Sequence, residues 1–203
     1  MKVFASGSLI IAILFSSSAE AQQTVNGCQI KRKTSCPKVN LSGANLTRSN
    51  LSGADLSGAN LSGANLSAGK ITEVNLVKAN LSNANLAETN LSETYMTGAN
   101  LSHANLTKAN LSQSSLPDAN LREANLAGAD LSLANLKGAD LTGANAKGAV
   151  FVMALLVNAN LTRVDLTEAT LIGTDLRNTI LEGARFCRTT MPDRSINNSG
   201  CPK

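Results

Sequence analysis

The chain has 203 residues and a formal net charge of +4, and it is 43% hydrophobic but only 2% aromatic, with no tryptophan. Compact cores use large aromatic rings to fill volume; here the apolar content is nearly all Leu and Ala, so any interior must be thin and repetitive. A mild positive charge without interleaved aromatics is weak ground for nucleic-acid binding.

Residues 1–21 read as a cleaved export signal. Lys2 supplies the positive start, Val3 to Phe15 is apolar, and Ala19-Glu20-Ala21 is a small-x-small cleavage site. The apolar run is shorter than the roughly 20 residues a bilayer span needs, so Gln22 is the expected mature start, with no membrane attachment after cleavage. Export puts the cysteines in an oxidising compartment. Cys28 and Cys36 lie in a leading cap, 22–39, which also carries the basic run Lys31-Arg32-Lys33, read as a solvated face. Cys187 and Cys201 lie in a trailing cap, 187–203. Four cysteines allow three connectivities.

Between the caps, residues 40–186 repeat. An apolar residue stands at every fifth position from Leu41 to Phe186, thirty positions in all, and it is Leu at all but Ile71, Met96, Ala146, Phe151 and Phe186. Two residues earlier is a small residue, usually Ala, and between them Asn or Asp. Such self-similarity is read before any other feature. On an α-helix, five steps of about 100° leave successive leucines about 140° apart, spread around every face. On a flat strand, Leu41 and Leu46 would point to opposite sides. A short extended stretch with a corner in every unit turns each Leu to one axis, and Ser, Thr, Gly and Asn supply the corners. The chain is all-β and coils as a β-solenoid.

The outward residues suggest the number of units per coil. Asn40, Asn60, Asn80, Asn100, Asn120, Asp140 and Asn160 form an unbroken row, as do Asn45, Asn65, Asn85, Asn105, Asn125, Asn145 and Asp165. Lys70, Val150 and Thr170 interrupt a third row, and Tyr95, Ser115 and Leu155 a fourth. Deviations that segregate at a spacing of twenty suggest four units per coil.

The unit Ala-Asn-Leu-Ser/Thr-x, repeated from Asn40 to Phe186, resembles the pentapeptide-repeat family. The resemblance implies a right-handed quadrilateral β-helix. The tail, Ala-Arg-Phe-Cys-Arg-Thr-Thr-Met-Pro-Asp followed by Ser-Ile-Asn-Asn-Ser-Gly-Cys, is similar to that of cyanobacterial members. At four units per coil, thirty units give about 7.5 coils and a rod roughly 36 Å long. A disulfide needs Cα atoms within about 7 Å, so an end-to-end bridge is excluded. Cys28–Cys36 and Cys187–Cys201 are expected, each stapling one end against stacking by another chain.

Departures from the repeat are the candidate functional positions. Ala146 and Phe151 exchange volume at adjacent interior positions, a matter of packing. Val150, Val152, Met153, Leu155 and Val157 fall where polar residues normally stand. At a spacing of twenty, Leu133 lies beside Met153, and Val152 beside Ile172. A contiguous apolar patch is expected there, and such patches mark contacts; the alternative is a bulge that turns these side chains inward. Gly69-Lys70-Ile71 replaces Ala-Asn-Leu and suggests a local bulge at Lys70. Tyr95, the only Tyr, replaces an outward Asn and could serve a contact.

Catalytic and metal chemistry are not apparent. His103 is the only His, no CxxC or HExxH occurs, and Asp55, Asp130 and Asp175 are variants of the repeat Asn. No cofactor is expected. Asn-Leu-Ser/Thr sequons arise automatically from the repeat. The chain therefore reads as a non-catalytic structural or protein-interaction module, using the apolar patch to bind itself, as a possible homodimer, or an unknown protein partner. The alternative is binding an ordered surface or glycan through Ser42, Ser62, Ser82 and Ser102, a row broken by Arg122. Topoisomerase inhibition by DNA mimicry, found in some family members, needs an acidic cytoplasmic rod, whereas this one is basic and exported. Its destination would be the periplasm, the medium or, as the cyanobacterial resemblance implies, the thylakoid lumen.

Overall fold

A computed structural model describes residues 23–202; the export signal read at 1–21 lies outside the described residues. From Ser35 to Thr190 the chain is a succession of single parallel bridges, every one between residues twenty apart. Four pentapeptides therefore complete one circuit, and four faces result. The first carries the row Asn40 to Ile180, the second Asn45 to Arg185, the third Asn50 to Thr190, and the fourth Ser35 to Asp175.

Hydrogen bonding explains why the unit is five residues long. In the unit from Asn100 to Ala104, the Asn100 amide donates to Ala79 O (2.9 Å) in the coil before. Leu101 and His103 donate to Asn120 O (2.7 Å) and Arg122 O (2.9 Å) in the coil after. Ala104 donates back to Leu101 O (3.1 Å), closing a β-turn. The fifth amide, of Ser102, sits at the corner where no coil can reach it, and it donates to the Asn100 side-chain Oδ1 (3.1 Å). All five donors are thus paired, as a non-solvated backbone requires. The repeat Asn is a backbone acceptor in side-chain form. Where Ser115 replaces it, the residue needing the acceptor is Pro117, which has no N–H.

Each corner places its third turn residue at positive φ. Gly fills several of these, but Lys78 (φ 56°), Glu93 (φ 59°) and His103 (φ 57°) hold the same conformation, which costs a non-Gly residue roughly 1 kcal/mol or more. The carboxamides also bond along the rod: Asn120 Nδ2 to Asn100 Oδ1 (3.1 Å) on the first face, Asn145 Nδ2 to Asn125 Oδ1 (3.1 Å) on the second.

Inside, the Leu rows from Leu41 to Leu171 are no more than 1% exposed, and the Ala rows fill the space between them. Where Thr replaces Ala, its hydroxyl is satisfied: Thr89 Oγ1 donates to Leu66 O (2.9 Å) and Thr174 Oγ1 to Phe151 O (2.7 Å). Four leucines cannot offset the entropy of ordering twenty residues, so a coil is stable only between neighbours or caps.

Two antiparallel pairs finish the ends: β1 (Thr24–Val25) with β2 (Cys28–Gln29), and β3 (Thr189–Thr190) with β4 (Ile196–Asn197). Disulfides join Cys28 to Cys36 and Cys187 to Cys201, with Cα atoms 5.8 and 4.6 Å apart.

The local bulge expected at Lys70 does not form. Lys70 bridges both Asn50 and Asn90, and its amide donates to Ser49 O at 2.9 Å. The adaptation lies one residue earlier, where a Cβ on Gly69 would stand 2.8 Å from Leu66 O and 3.3 Å from Ser49 O. Both atoms are backbone and cannot swing away. Gly69→Ala, although it restores the common residue of the repeat, is expected to lose about 1–3 kcal/mol in urea unfolding; a variant as stable as the parent would show that this coil can shift to accept the methyl.

Candidate functional site

The corner between the third and fourth faces changes character along the rod. At its second turn position the stacked residues are Ser52, Thr72, Ser92, Ser112 and Ser132, then Val152, Ile172 and Pro192. At its third they are Gly53, Glu73, Glu93 and Gln113, then Leu133, Met153 and Gly173. The coil register enforces the stacking: Leu133 N–H donates to Val152 O, and Met153 N–H to Ile172 O, both at 2.9 Å. Leu133 is 53% exposed and Met153 59%. A Cβ on Gly173 would touch Met153 Cγ at 3.4 Å, so the methionine stem lies over the glycine of the following corner.

Val152 and Ile172 are half-buried on this corner. Val150 stands in the third row between Asp130 and Thr170, Leu155 in the fourth between Asn135 and Asp175, and both are half-buried. Val157 occupies the next corner, bonded through its carbonyl to Gly138 N (3.0 Å). These residues keep the regular register and outward positions of the repeat. Ala146 and Phe151 are fully buried, Tyr95 is 56% exposed on the fourth face, and Lys70 is exposed on the third.

Two further residues extend the stripe. Pro192 follows Ile172 in the same column, its carbonyl accepting from Gly173 N (3.1 Å), and Ile196, 57% exposed, pairs with Thr190 at the end of the third row. A further step of twenty from Ile172 reaches Pro192, a signal the sequence reading left unused. Ile196 had no such signal, because the tail doubles back there.

The stripe is not required by the fold. Equivalent corner positions accept Glu73, Glu93 and Gln113. Val150 and Leu155 also lack the side-chain oxygen of Asn, and the amides of Val152 and Val157 have no hydrogen-bond acceptor among the described residues. Losing such a bond costs stability.

The polar faces are occupied by their own hydrogen bonds. Asn100 Oδ1 accepts from both Ser102 N and Asn120 Nδ2. Arg122, which breaks the Ser42–Ser102 column, is paired with Asp140 at 2.9 Å. Partial burial alone would raise the Asp140 carboxyl, but hydrogen bonds from the Thr142 hydroxyl and amide, then Arg122, outweigh it and hold it below its ordinary range. Asp165 is likewise lowered by Thr167 and Lys147 against the effect of burial. Asp175 is lowered chiefly by the Arg177 guanidinium. These are carboxylates fixed as acceptors, the reverse of the raised acid that proton-transfer chemistry uses. His103 Nδ1 faces Glu123 Oε2 at 3.3 Å on an exposed corner. Among the described residues, no group of three or more His, Cys, Asp or Glu side chains could hold a metal ion.

Pentapeptide repeats match the chain in eight copies, over residues 40–76, 75–113, 114–151 and 154–191. No curated protein matches it. Among solved structures it is similar to HetL, a pentapeptide repeat protein involved in heterocyst differentiation regulation from the cyanobacterium Nostoc sp. strain PCC 7120, at 28% identity over 82% of this chain and 90% of that one (TM-score 0.42). It is similar to QnrB1, a plasmid-mediated fluoroquinolone resistance protein, at 22% identity over 73% of this chain and 80% of that one (TM-score 0.60), a likeness of fold alone. AT2G44920, a pentapeptide repeat protein from the Arabidopsis thaliana thylakoid lumen, is 35% identical over 48% of this chain and 68% of that one (TM-score 0.47). With the repeat model spanning most of its length and each circuit built from four pentapeptides, the chain belongs to the pentapeptide-repeat family, whose members wind as right-handed quadrilateral β-helices.

Proposed function

We propose that the protein is an exported, non-catalytic rod that presents its apolar corner to another protein surface, first of all to a second copy of itself. The observation that carries this is the exposure of Leu133 and Met153 on one corner, stacked with Val152 and Ile172, at positions where the fold accepts Glu or Gln. An apolar stripe kept on an outward corner where polar residues fit marks a contact. Both disulfides fit an oxidising compartment, in keeping with the export signal read at 1–21; periplasm, medium and thylakoid lumen all meet that condition.

The test is the solution mass and cross-section of the oxidised protein beside Val152→Glu/Met153→Glu. Both residues lie on the outside, so the variant should fold with its thermal transition nearly unchanged. The expected result is that lateral association disappears and the variant has half the mass of the parent. Equal masses would overturn self-association through this stripe.

A further inference from the structure

The net positive charge of the chain is gathered at one end. Residues 23–54 carry five cations, Lys31, Arg32, Lys33, Lys38 and Arg48, and no carboxylate, whereas residues 55–203 carry twelve cations and thirteen carboxylates. Pairing differs too. Arg122, Lys147, Arg177, Arg185 and Arg188 each meet a carboxylate. Among the described residues, none of the five cations at the N-terminal end does. The first carboxylate, Asp55, stands one coil beyond Ser35, and its Oδ1 accepts from Ser57 N at 3.1 Å.

The fold spreads these cations around the rod and fixes their backbone. Lys31-Arg32-Lys33 lies inside the loop that the Cys28–Cys36 disulfide closes. Arg32 and Lys33 stand at the corner between the third and fourth faces, Lys38 at that between the fourth and first, and Arg48 at that between the second and third. Each corner is tied to the coil that follows: Lys33 N–H donates to Ser52 O (2.9 Å), Lys38 N–H to Ser57 O (2.8 Å) and Arg48 N–H to Ser67 O (2.9 Å). A Cβ on Gly53 would stand 3.3 Å from Lys33 Cγ, and one on Gly58 3.3 Å from Lys38 Cγ, so both stems lie along their corners beside that coil. The result is a collar of charge on three of the four corners. It surrounds an end finished by the exposed, uncharged Gln23, Thr24, Asn26 and Gln29.

We propose that this collar seats the N-terminal end of the rod among the headgroups of an anionic lipid bilayer. A linear polyanion lying along the rod meets one corner, whereas a plane across the rod axis meets all three. A protein partner is held by apolar and aromatic anchors at the centre of its contact, and this end offers none. The large apolar side chains exposed among the described residues are Tyr95, Leu133, Met153, Ile180 and Ile196. Mobile headgroups ask for charge and not for matched geometry. Residues 31–48 fall within a single circuit of the coil, so the collar stands within about 5 Å of the end, and a headgroup layer is roughly 5–8 Å deep. Contact of this kind is peripheral and needs no membrane-crossing segment. The run Lys31-Arg32-Lys33 reads as a solvated face only while it stands alone; the coil brings Lys38 and Arg48 level with it. A rod seated this way holds Leu133, on the same corner as Lys33 and five coils farther along, roughly 24 Å from the collar. The apolar stripe stays clear of the headgroups, and the two contacts stand or fall independently.

Flotation of the oxidised protein, without residues 1–21, on lipid vesicles tests this. It is expected to bind vesicles of phosphatidylcholine mixed with phosphatidylglycerol and to leave pure phosphatidylcholine vesicles unbound. Release is expected in about 1 M salt, where the screening length falls to about 3 Å. Each collar cation strengthens partitioning about fivefold, so Arg32→Gln/Lys33→Gln/Lys38→Gln is expected to bind about a hundredfold more weakly. Its thermal transition should be retained, since the three side chains are exposed and Gln113 already holds the corner conformation of Lys33 and Lys38 (φ 58°). Lys108→Gln/Lys137→Gln/Arg163→Gln removes the same charge from exposed positions farther along the rod and is expected to bind as the parent does. Equal binding to both kinds of vesicle, or equal loss in the two triple variants, overturns the proposal. So does capture by a soluble polyanion such as dextran sulfate without binding to anionic vesicles, which would make the end a polyanion site and not a bilayer seat.

Discussion

Phe151→Ala is expected to lose about 4 kcal/mol of stability, and Ala146→Leu to change sign according to what stands at 151. Ala146 and Phe151 are successive interior positions of one coil, and both are fully buried. Each coil elsewhere brings four large side chains together at the axis. Here one position is reduced by three carbons and the next is enlarged to a ring, and close packing leads us to expect the ring to take the volume of the missing leucine. Adding that leucine to the parent overpacks the coil and costs about 1–3 kcal/mol. Adding it to Phe151→Leu restores a coil of the common kind and stabilises by about 1 kcal/mol or more. A double-mutant cycle in urea reads the coupling directly. If Ala146→Leu costs the same in both backgrounds, the two positions do not share volume and the exchange is wrongly assigned.

The exchange also bears on the proposed contact. Phe151 lies between Val150 and Val152 in the chain, directly beneath the apolar corner. The ring therefore sits where the outward surface departs furthest from the repeat. Phe151→Leu/Ala146→Leu should preserve stability, which makes it the variant in which the stripe's dependence on the ring can be measured without unfolding the rod.

The repeat made the architecture readable. Period five fits neither helix nor strand, and the outward rows already pointed to a circuit of twenty residues, the spacing of every bridge from Ser35↔Asp55 to Thr170↔Thr190. The role of the Asn was less accessible. Its requirement is set by a corner amide with no neighbour, and the one residue that exposes the logic is Pro117, which needs no acceptor and stands two positions after a Ser. Corner conformation was also hidden, since Lys, Glu, Leu and Met share the left-handed position with Gly. At Lys70 the substitution was visible but its remedy was not: the ladder runs through Lys70 unbroken, and Gly69 absorbs the crowding against Leu66 O. The stripe was legible as far as Ile172 because stacking follows arithmetic. It was lost at Ile196 because the tail reverses, and no periodicity survives a reversal.

Cys187→Ser/Cys201→Ser is expected to lose about 3 kcal/mol and to lose it at one end. The bridge spans 14 residues and holds the tail over Phe186 and Thr189, which are 9% and 0% exposed. Cys28–Cys36 spans 8 residues, and on the same chain-entropy argument its removal costs somewhat less, about 2.5 kcal/mol. In a stacked solenoid each coil answers to its neighbours, so release of the tail should propagate only as far as the adjoining coil. Hydrogen exchange reads this residue by residue. The amides of Leu166 and Leu171, bonded to Arg185 O and Thr190 O, should lose protection, while that of Leu111, bonded to Asp130 O, should keep it. Uniform loss along the rod would mean that the solenoid opens as one unit, and that the tail locks the whole molecule rather than its last coil.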